Sequence, residues 1–413
     1  MIVPEAAAQE KQKDKRSTSI VFTGDIGFDR YMAGRYRDRD LLAPEVRAFL
    51  GGADHVCANV EGPLIAIPAN TVTEGAAQLK HSMEPAVADF LQGIGADIWN
   101  LVNNHIMDAG PEGVAATLRE ASARGIRTIG AGMDISEARR PVILQEAGGI
   151  GLFGVGYRRA CREAGPDKAG CFSWNDMDGI LEVIGEIKRT CRWCVAVVHG
   201  GEEFTALPTP YTRDRYLRYL EMGADLVVCH HPHVPMNYEI RGEKAIFYSL
   251  GNFIFDTDYQ RAQFNTEKGV LLKLCFTETH WSFEPMGLRI DRETERVLPA
   301  ALPKIFRDVP EEEYRLLVPL AAKMFIANTK RQQTFLNPGR FLGADDAVWK
   351  AHFEEPMRSG RVPGEALDFF VICPLADAAR DGAWKKSTLE DVKAFILEQM
   401  DGGPADADRE EGS

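Results

Sequence analysis

The chain has no hydrophobic run long enough to cross a membrane. A spanning helix needs roughly 18–20 apolar residues, and no stretch of the sequence approaches that length. The first residues also lack the continuous apolar segment of a secretory signal. If the sequence is native and complete, we expect a cytoplasmic protein without an integral membrane segment.

Positive charge is also scarce. The 48 Lys and Arg residues are outnumbered by 61 Asp and Glu residues, which gives a net charge of −13. This balance argues against a nucleic-acid partner and against an anionic membrane surface. A bound metal would let such an acidic protein hold an anionic substrate, either a small molecule or a polymer. The sequence leaves open whether the chain forms a homo-oligomer.

Cysteine is present but is not arranged for metal binding or for disulfides. Among the eight cysteines, Cys191 and Cys194 have C-x-x-C spacing, and no second pair follows at the distance of a zinc ribbon. Cys57 and Cys229 lie inside apolar strand patterns, where a thiol packs as a small hydrophobic group. We expect reduced structural thiols.

The pattern along the chain predicts an α/β domain with a helical appendage. Strand and helix patterns alternate from Ile20 to about Arg292. The clearest elements are helices at 111–124 and 212–222 and an antiparallel strand at 269–276. We expect a disordered lead-in at 1–17, the main domain at 18–296, a mostly helical appendage at 297–401 and an acidic disordered tail at 402–413.

Six predicted strands each run into polar side chains that suit metal or proton chemistry. In open α/β sheets, ligands bind outside the carboxyl ends of the strands. The sequence therefore predicts an active site where these ends converge. The polar residues that follow the strands are Asp25, Asn59 with Glu61, Asn103 to His105, His199, His230 to His233, and Asn252.

Histidine is the most informative residue type at these strand ends. Five of the nine histidines lie there, and imidazole combined with carboxylate and amide oxygen favours Zn, Mn, Fe or Co. Pro232 is expected to hold His231 extended, and the loop must curl if His233 is to bind as well. Asp25 and Glu61 supply negative charge for one or two divalent ions.

Several of these residues have simpler interpretations that the sequence leaves open. Asp25 could cap a helix and Asn59 could be a turn residue. His81 precedes a predicted helix and could approach the site, whereas His55 begins its strand at the opposite end and is expected to be structural. Next to the amide of Asn104, His105 suits the role of general acid.

Seven motifs in order resemble the bacterial capsule-synthesis CapA family, also called the poly-γ-glutamate biosynthesis family, which is similar to calcineurin-like metallophosphatases. The resemblance implies a four-layer α/β/β/α sandwich of metallophosphatase type. It implies His105 as the acid, Glu203 and Asn252 as further catalytic residues, and metal ligands at Asp25, Glu61, Asn104, His199, His231 and His233. The motifs occupy residues 24–25, 59–64, 103–110, 130–132, 199–204, 230–234 and 248–253.

The chain departs from the metallophosphatase pattern at the first strand. Asp25 is followed by Ile26 and Gly27, where the pattern has Asp-x-His. Two hypotheses therefore stand. One is a metal-dependent hydrolase that acts on a phosphoester or a γ-glutamyl amide in capsule or poly-γ-glutamate synthesis. The other is a non-catalytic component that binds the polymer or scaffolds its assembly, which the incomplete first motif favours.

Overall fold

The computed structural model describes residues 17–65, 80–156, 161–263 and 265–314. These residues form a mixed α/β structure with sheets of eight, six and two strands. The strands are β1 Thr18–Ile26, β2 His55–Val60, β3 Ala96–Asn100, β4 Arg127–Ile129, β5 Ala131–Gly132, β6 Val142–Leu144, β7 Ile150–Gly156, β8 Gly170–Cys171, β9 Trp193–His199, β10 Leu226–His230, β11 Tyr238–Arg241, β12 Lys244–Phe247, β13 Asn252–Ile254, β14 Lys268–Phe276, β15 Trp281–Asp291 and β16 Arg296–Pro299.

Seven α-helices lie between these strands in the described residues. The predicted helix at 111–124 begins one residue earlier, at Gly110, and Pro111 occupies its first turn. In the predicted helix at 212–222, Thr209 caps the first turn, and Gly223 ends the helix with a φ of 119°. The helices are α1 Pro44–Gly51, α2 Val87–Gly93, α3 Gly110–Ala123, α4 Ile135–Ala138, α5 Met177–Thr190, α6 Pro210–Met222 and α7 Asp258–Arg261.

Parallel pairing brings the carboxyl ends of the strands together. In the eight-stranded sheet, β1 to β4 run parallel, and β14 to β16 extend that sheet antiparallel from β1. The predicted strand at 269–276 is β14, and its antiparallel pairing is confirmed. In the six-stranded sheet, β7, β9, β10 and β12 are parallel. The sites predicted at strand ends therefore meet along one edge of each sheet.

Three apolar clusters form the core. One draws side chains from both large sheets, including Phe22 of β1 and Val197 of β9. A second joins the opposite face of the eight-stranded sheet to helices α1 to α3, and a third joins the six-stranded sheet to α5 and α6. Strand β9 is buried along its whole length. Such burial explains why the parallel strands read as apolar runs.

The ordered packing continues past β15. Strand β16 spans the boundary expected at residue 296, and Tyr314 is buried. The Arg213 guanidinium forms two hydrogen bonds of 2.9 Å with Glu239 and contacts Glu311, which ties the segment after β16 to helix α6. Most of the predicted appendage, the lead-in and the tail lie outside the described residues.

Two smaller expectations concern membranes and thiols. Among the described helices, none is long and apolar enough to span a bilayer. Cys191 and Cys194 are buried free thiols, as are Cys57 and Cys229, so their structural interpretation is confirmed. Burial raises the pKa of the Cys194 thiol, which keeps it protonated.

Candidate metal centre

The structure brings all six predicted ligands into one buried cluster. Asp25 lies in β1, Glu61 follows β2 directly, and Asn104 follows β3. His199 ends β9, whereas His231 and His233 lie on the loop after β10. Asn104 Oδ1 is 2.8 Å from His199 Nε2, and that nitrogen is 3.8 Å from Glu61 Oε1. Side chains from both large sheets therefore converge at one point.

Glu61 is the most unusual residue of the cluster. Its side chain is fully buried, and neither carboxylate oxygen has a hydrogen-bond partner among the described residues. The closest imidazole nitrogens are Nε2 of His233 at 3.7 Å and Nε2 of His199 at 3.8 Å. A buried carboxylate without partners is costly, and a bound cation removes that cost.

Asp25 places a second buried carboxylate beside Glu61. Its Oδ1 accepts a hydrogen bond of 2.8 Å from Asn59, and its Oδ2 lies 3.1 Å from Nδ1 of His233. Among the described residues that Oδ2 has no well-aligned hydrogen bond, and the same His233 nitrogen lies 3.0 Å from Asn252 Oδ1. Three carboxylate oxygens in the cluster are thus available to a cation.

The two carboxylates change the protonation of their neighbours. Burial raises the pKa of Glu61 well above its usual range, and the negative charge of Asp25 raises it further. Burial alone would lower the pKa of His233, but attraction to Glu61 and the close Asp25 carboxylate, 3.1 Å away, raise it to about 10. The metal-free cluster therefore holds protons that a metal would displace.

Two groups of donor atoms are compact enough to hold an ion. Asp25, Glu61 and His233 form one group, and Glu203, His231 and His233 form the other. In each group the donor atoms lie within 4.8 Å of one another. His233 belongs to both, so the two positions are neighbours. Carboxylate and imidazole donors fit a borderline divalent ion, and the unpartnered oxygens of Glu61 give that ion a place.

The loop that carries His231 and His233 curls as predicted, but not in the predicted conformation. Pro232 was expected to keep His231 extended, and this is wrong, because His231 has a φ of 97° and His233 a φ of 59°. These left-handed conformations let the two rings approach to 6.0 Å between centroids. Pro232 O accepts a hydrogen bond from the backbone of Phe204, which holds the strained loop.

His230 is the last residue of β10, and its ring nitrogens face backbone carbonyl groups instead of the predicted ligands. Its Nε2 is 2.9 Å from Thr23 O of β1, and its Nδ1 is 3.3 Å from Val198 O of β9. The ring therefore links the two large sheets. Burial lowers its pKa, in keeping with a neutral ring between carbonyl groups.

His105 lies beside the cluster and is oriented by a carboxylate. Its Nδ1 is 2.7 Å from Asp108 Oδ2, and its backbone N–H donates to Asn103 Oδ1. Burial and the neighbouring His81 ring lower the pKa of His105 to about 4. With Nδ1 engaged by Asp108, Nε2 is the ring atom left for a ligand.

The other two residues predicted to be catalytic are Glu203 and Asn252, and they lie next to different histidines of the cluster. Asn252 is buried, and its amide donates to Gln260 Oε1 and Thr266 O, which leaves Oδ1 facing His233. It orients a predicted ligand. Glu203 accepts a hydrogen bond of 2.9 Å from Tyr259 and lies with Oε1 3.9 Å from His231 Nε2.

A relay of amide groups behind Asp25 was not predicted from the sequence. Asn59 is in β2 rather than in a turn; its amide donates to Asp25, and its Oδ1 accepts from Asn100 at 2.8 Å. Gly154 of β7 gives Asn100 room, because a Cβ there would lie 2.7 Å from Asn100 Oδ1. The sequence pattern that could have indicated this relay is a polar residue near the end of each of the strands β1, β2 and β3.

Comparison with known proteins places the chain in a family. The family model for bacterial capsule synthesis protein PGA_cap matches residues 19–257, which is more than half of the chain and includes every predicted site residue. The chain belongs to this family.

Curated relatives support the same assignment. The chain is 26% identical over 269 residues to the capsule biosynthesis protein CapA of Bacillus anthracis, covering 63% of this chain and 65% of that relative. It is 28% identical over 250 residues to the PGA biosynthesis protein CapA of Bacillus subtilis, covering 59% and 65%. The chain thus spans slightly less than two thirds of these relatives' lengths.

A solved structure offers only a distant likeness. The match to a hypothetical protein from Thermus thermophilus covers 69% of this chain and 100% of that chain at 14% identity, and the TM-score is 0.39. That value is too low to support an argument about fold or function.

Proposed function

We propose that this CapA-family protein is a metal-dependent hydrolase acting in capsule or poly-γ-glutamate synthesis. We also propose that its two large sheets, with helices against their outer faces, form the four-layer sandwich of metallophosphatases. The three apolar clusters support that layering. The names of the two CapA relatives support the link to capsule and polyglutamate synthesis.

One observation carries the proposal: the fully buried Glu61 carboxylate has no hydrogen-bond partner for either oxygen in the described part of the chain. A divalent ion at such a site supplies an activated water and polarises a phosphoryl or acyl oxygen. Asp25, Glu61 and His233 would hold one ion. His199 and Asn104 approach Glu61 from the other side and would complete its environment.

Glu203 offers a replacement for the histidine that the first motif lacks. The chain has Ile26 and Gly27 where metallophosphatases carry a histidine, so one metal position lacks an imidazole from the first strand. Glu203 groups with His231 and His233 and offers a carboxylate there instead. We therefore place Glu203 among the ligands of a second ion, whereas Asn252 orients His233 from behind.

In this proposal His105 delivers a proton from Nε2 to the leaving group, while Asp108 holds the ring through Nδ1. A ring with a pKa of about 4 is mostly neutral at pH 7. The negative charge of a bound substrate would have to raise that pKa for the acid role. Substrate binding and proton delivery are therefore coupled at this residue.

The test starts with elemental analysis of the purified protein and of protein reloaded with Mn, Zn, Fe or Co. We expect about one to two ions per chain, from the number of donors. A panel of phosphoesters and γ-glutamyl amides then identifies the reaction. Wild-type protein that takes up no divalent ion would refute the proposal.

The irregular first motif supports a second candidate, a non-catalytic component that binds the polymer or scaffolds its assembly. In that case the metal-loaded protein should bind poly-γ-glutamate without cleaving any member of the panel. Replacing His105 would leave that binding unchanged, because proton delivery has no part in it.

A further inference from the structure

A second pair of histidine and carboxylate lies beside His105. His81 Nδ1 is 2.5 Å from Asp29 Oδ2, and the His81 side chain is almost completely buried. Because Asp29 engages Nδ1, Nε2 is the ring's remaining hydrogen-bonding atom, and it has no hydrogen-bond partner among the described residues. The pair has the same design as His105 with Asp108, although it comes from another part of the chain.

The two pairs are joined by one carboxylate oxygen. Asp108 Oδ2 accepts a 2.8 Å hydrogen bond from the backbone N–H of His81 and also lies 2.7 Å from His105 Nδ1. The rings of His81 and His105 meet edge to face with centroids 4.2 Å apart. The two rings are therefore held in contact beside the Asp108 carboxylate.

Further contacts place His81 next to the proposed metal centre. Phe255 lies between it and His233, with ring centroids 5.1 Å from His81 and 5.0 Å from His233. Gly62, which follows Glu61, packs against His81, since a Cβ at that glycine would be 3.4 Å from the His81 Cβ. The backbone N–H of Met83 donates to Pro63 O and fixes the segment.

We propose that His81 binds substrate: its Nε2 hydrogen-bonds an oxygen of the reacting phosphoryl or acyl group, beside His105. Asp29 is the positioning residue that holds the ring. This inference rests on the proposed hydrolase function and adds a residue to it. It also predicts a division of labour, in which loss of His81 weakens binding of the substrate and loss of His105 slows its turnover.

The experiment uses the full chain loaded with Mn, with His81→Phe and His81→Gln as test variants. The phenylalanine keeps an aromatic ring against His105 without a hydrogen-bonding nitrogen, and the glutamine keeps polarity without the ring. His55→Phe is the matched control, because His55 Nδ1 lies 2.7 Å from Asp97 Oδ2 in a similar pair at the opposite end of β2.

Calorimetry measures the affinity of each protein for two probes, inorganic phosphate and a γ-glutamyl dipeptide. We expect full metal content in every variant and an affinity about tenfold weaker in both His81 variants for the probe that resembles the substrate, the scale of one hydrogen bond. Which probe responds distinguishes phosphoryl from acyl recognition. With a turned-over substrate, KM should rise more than kcat falls.

Unchanged affinity for both probes in His81→Phe and His81→Gln would overturn the inference, and so would an equal loss in His55→Phe. Loss of metal from the His81 variants would also overturn it, because His81 would then support the ligands. If the wild type cleaves no substrate but the His81 variants still bind a probe more weakly, the hydrolase proposal fails and His81 remains a binding residue.

Discussion

Replacing Glu61 with glutamine should abolish most metal-dependent stabilisation without destabilising the metal-free protein. Glu61 is fully buried, and neither of its oxygens has a hydrogen-bond partner within the described ranges, so the substitution removes no hydrogen bond seen there. The glutamine is nearly the same size and removes one of two adjacent negative charges. The metal, in contrast, loses an anionic ligand.

The size of the effect follows from binding linkage. At a free metal concentration of 100 times its Kd, wild-type protein gains about 2.7 kcal/mol. If the variant binds the metal about 100-fold more weakly, the gain at the same concentration falls to roughly 0.4 kcal/mol. The difference of about 2.3 kcal/mol corresponds to roughly 5 °C in Tm for a domain of this size.

The metal-free proteins should differ in their response to pH. The pKa of Glu61 is raised in the folded state, so the folded protein keeps a proton that the unfolded chain has lost. This contribution to stability is fully present below the ordinary glutamate pKa of about 4.3 and is lost as pH rises towards the folded pKa. The glutamine variant has no carboxyl group to titrate at this position. Its stability relative to wild type should therefore increase as the pH rises.

The assay is thermal melting of both proteins, with and without Mn or Zn, at several pH values. Asp54→Asn is a suitable control, since that carboxylate is exposed and hydrogen-bonds to Ser19 away from the cluster. An equal metal-induced rise in Tm in wild type and Glu61→Gln would remove Glu61 from the site. A large loss of stability in the metal-free variant would show that the carboxylate has a structural partner.

Further predictions concern the remaining site residues and the fold. His231→Ala or His233→Ala should lower metal content by elemental analysis; full occupancy in the double variant would remove both from the ligand set. His199→Ala should also lose metal, whereas His105→Asn should keep it and lower turnover by about 10²–10⁴-fold in steady-state assays; metal loss in the latter would make it a ligand. Metal affinity should rise between pH 6 and 8, with proton release in a weakly buffered titration, because the cluster's raised pKa values must be overcome; a pH-independent affinity would contradict this. Arg213→Met should destabilise the protein by about 1–3 kcal/mol in denaturant unfolding, because the buried Glu239 carboxylate loses two charged hydrogen bonds while it keeps those from Arg241 and Tyr248; an unchanged midpoint would refute this.

The position of the cluster could be predicted because parallel strands that are buried on both faces have a clear sequence pattern. Once β1, β2, β3, β9 and β10 are recognised as parallel strands, the residues after β1 to β3 must gather at one edge of the first sheet and those after β9 and β10 at one edge of the second. Periodicity carries this information, and no side-chain geometry is needed.

The orientation of individual side chains was harder to predict. The sequence places His230 and His231 side by side, but only the pairing of β10 with β9 shows that the first ring points between the sheets. The left-handed φ of His231 overrides the restriction imposed by Pro232. His81 reaches the site through hydrogen bonds with Asp29 and Asp108, and long-range partners of this kind leave no pattern in one sequence.

The contact between Asn100 and Gly154 has a consequence for protein engineering. Asn100 fixes Asn59, and Asn59 fixes the Asp25 carboxylate, so the direction of that carboxylate depends on a glycine in the other sheet. A Cβ at residue 154 would lie 2.7 Å from Asn100 Oδ1 and 2.7 Å from the Gly130 Cα, so an added methyl group would press on the amide relay and on the backbone beside it. A mutant library confined to the predicted ligands would therefore omit residue 154, from which a substitution would act on Asp25 without replacing any of those ligands.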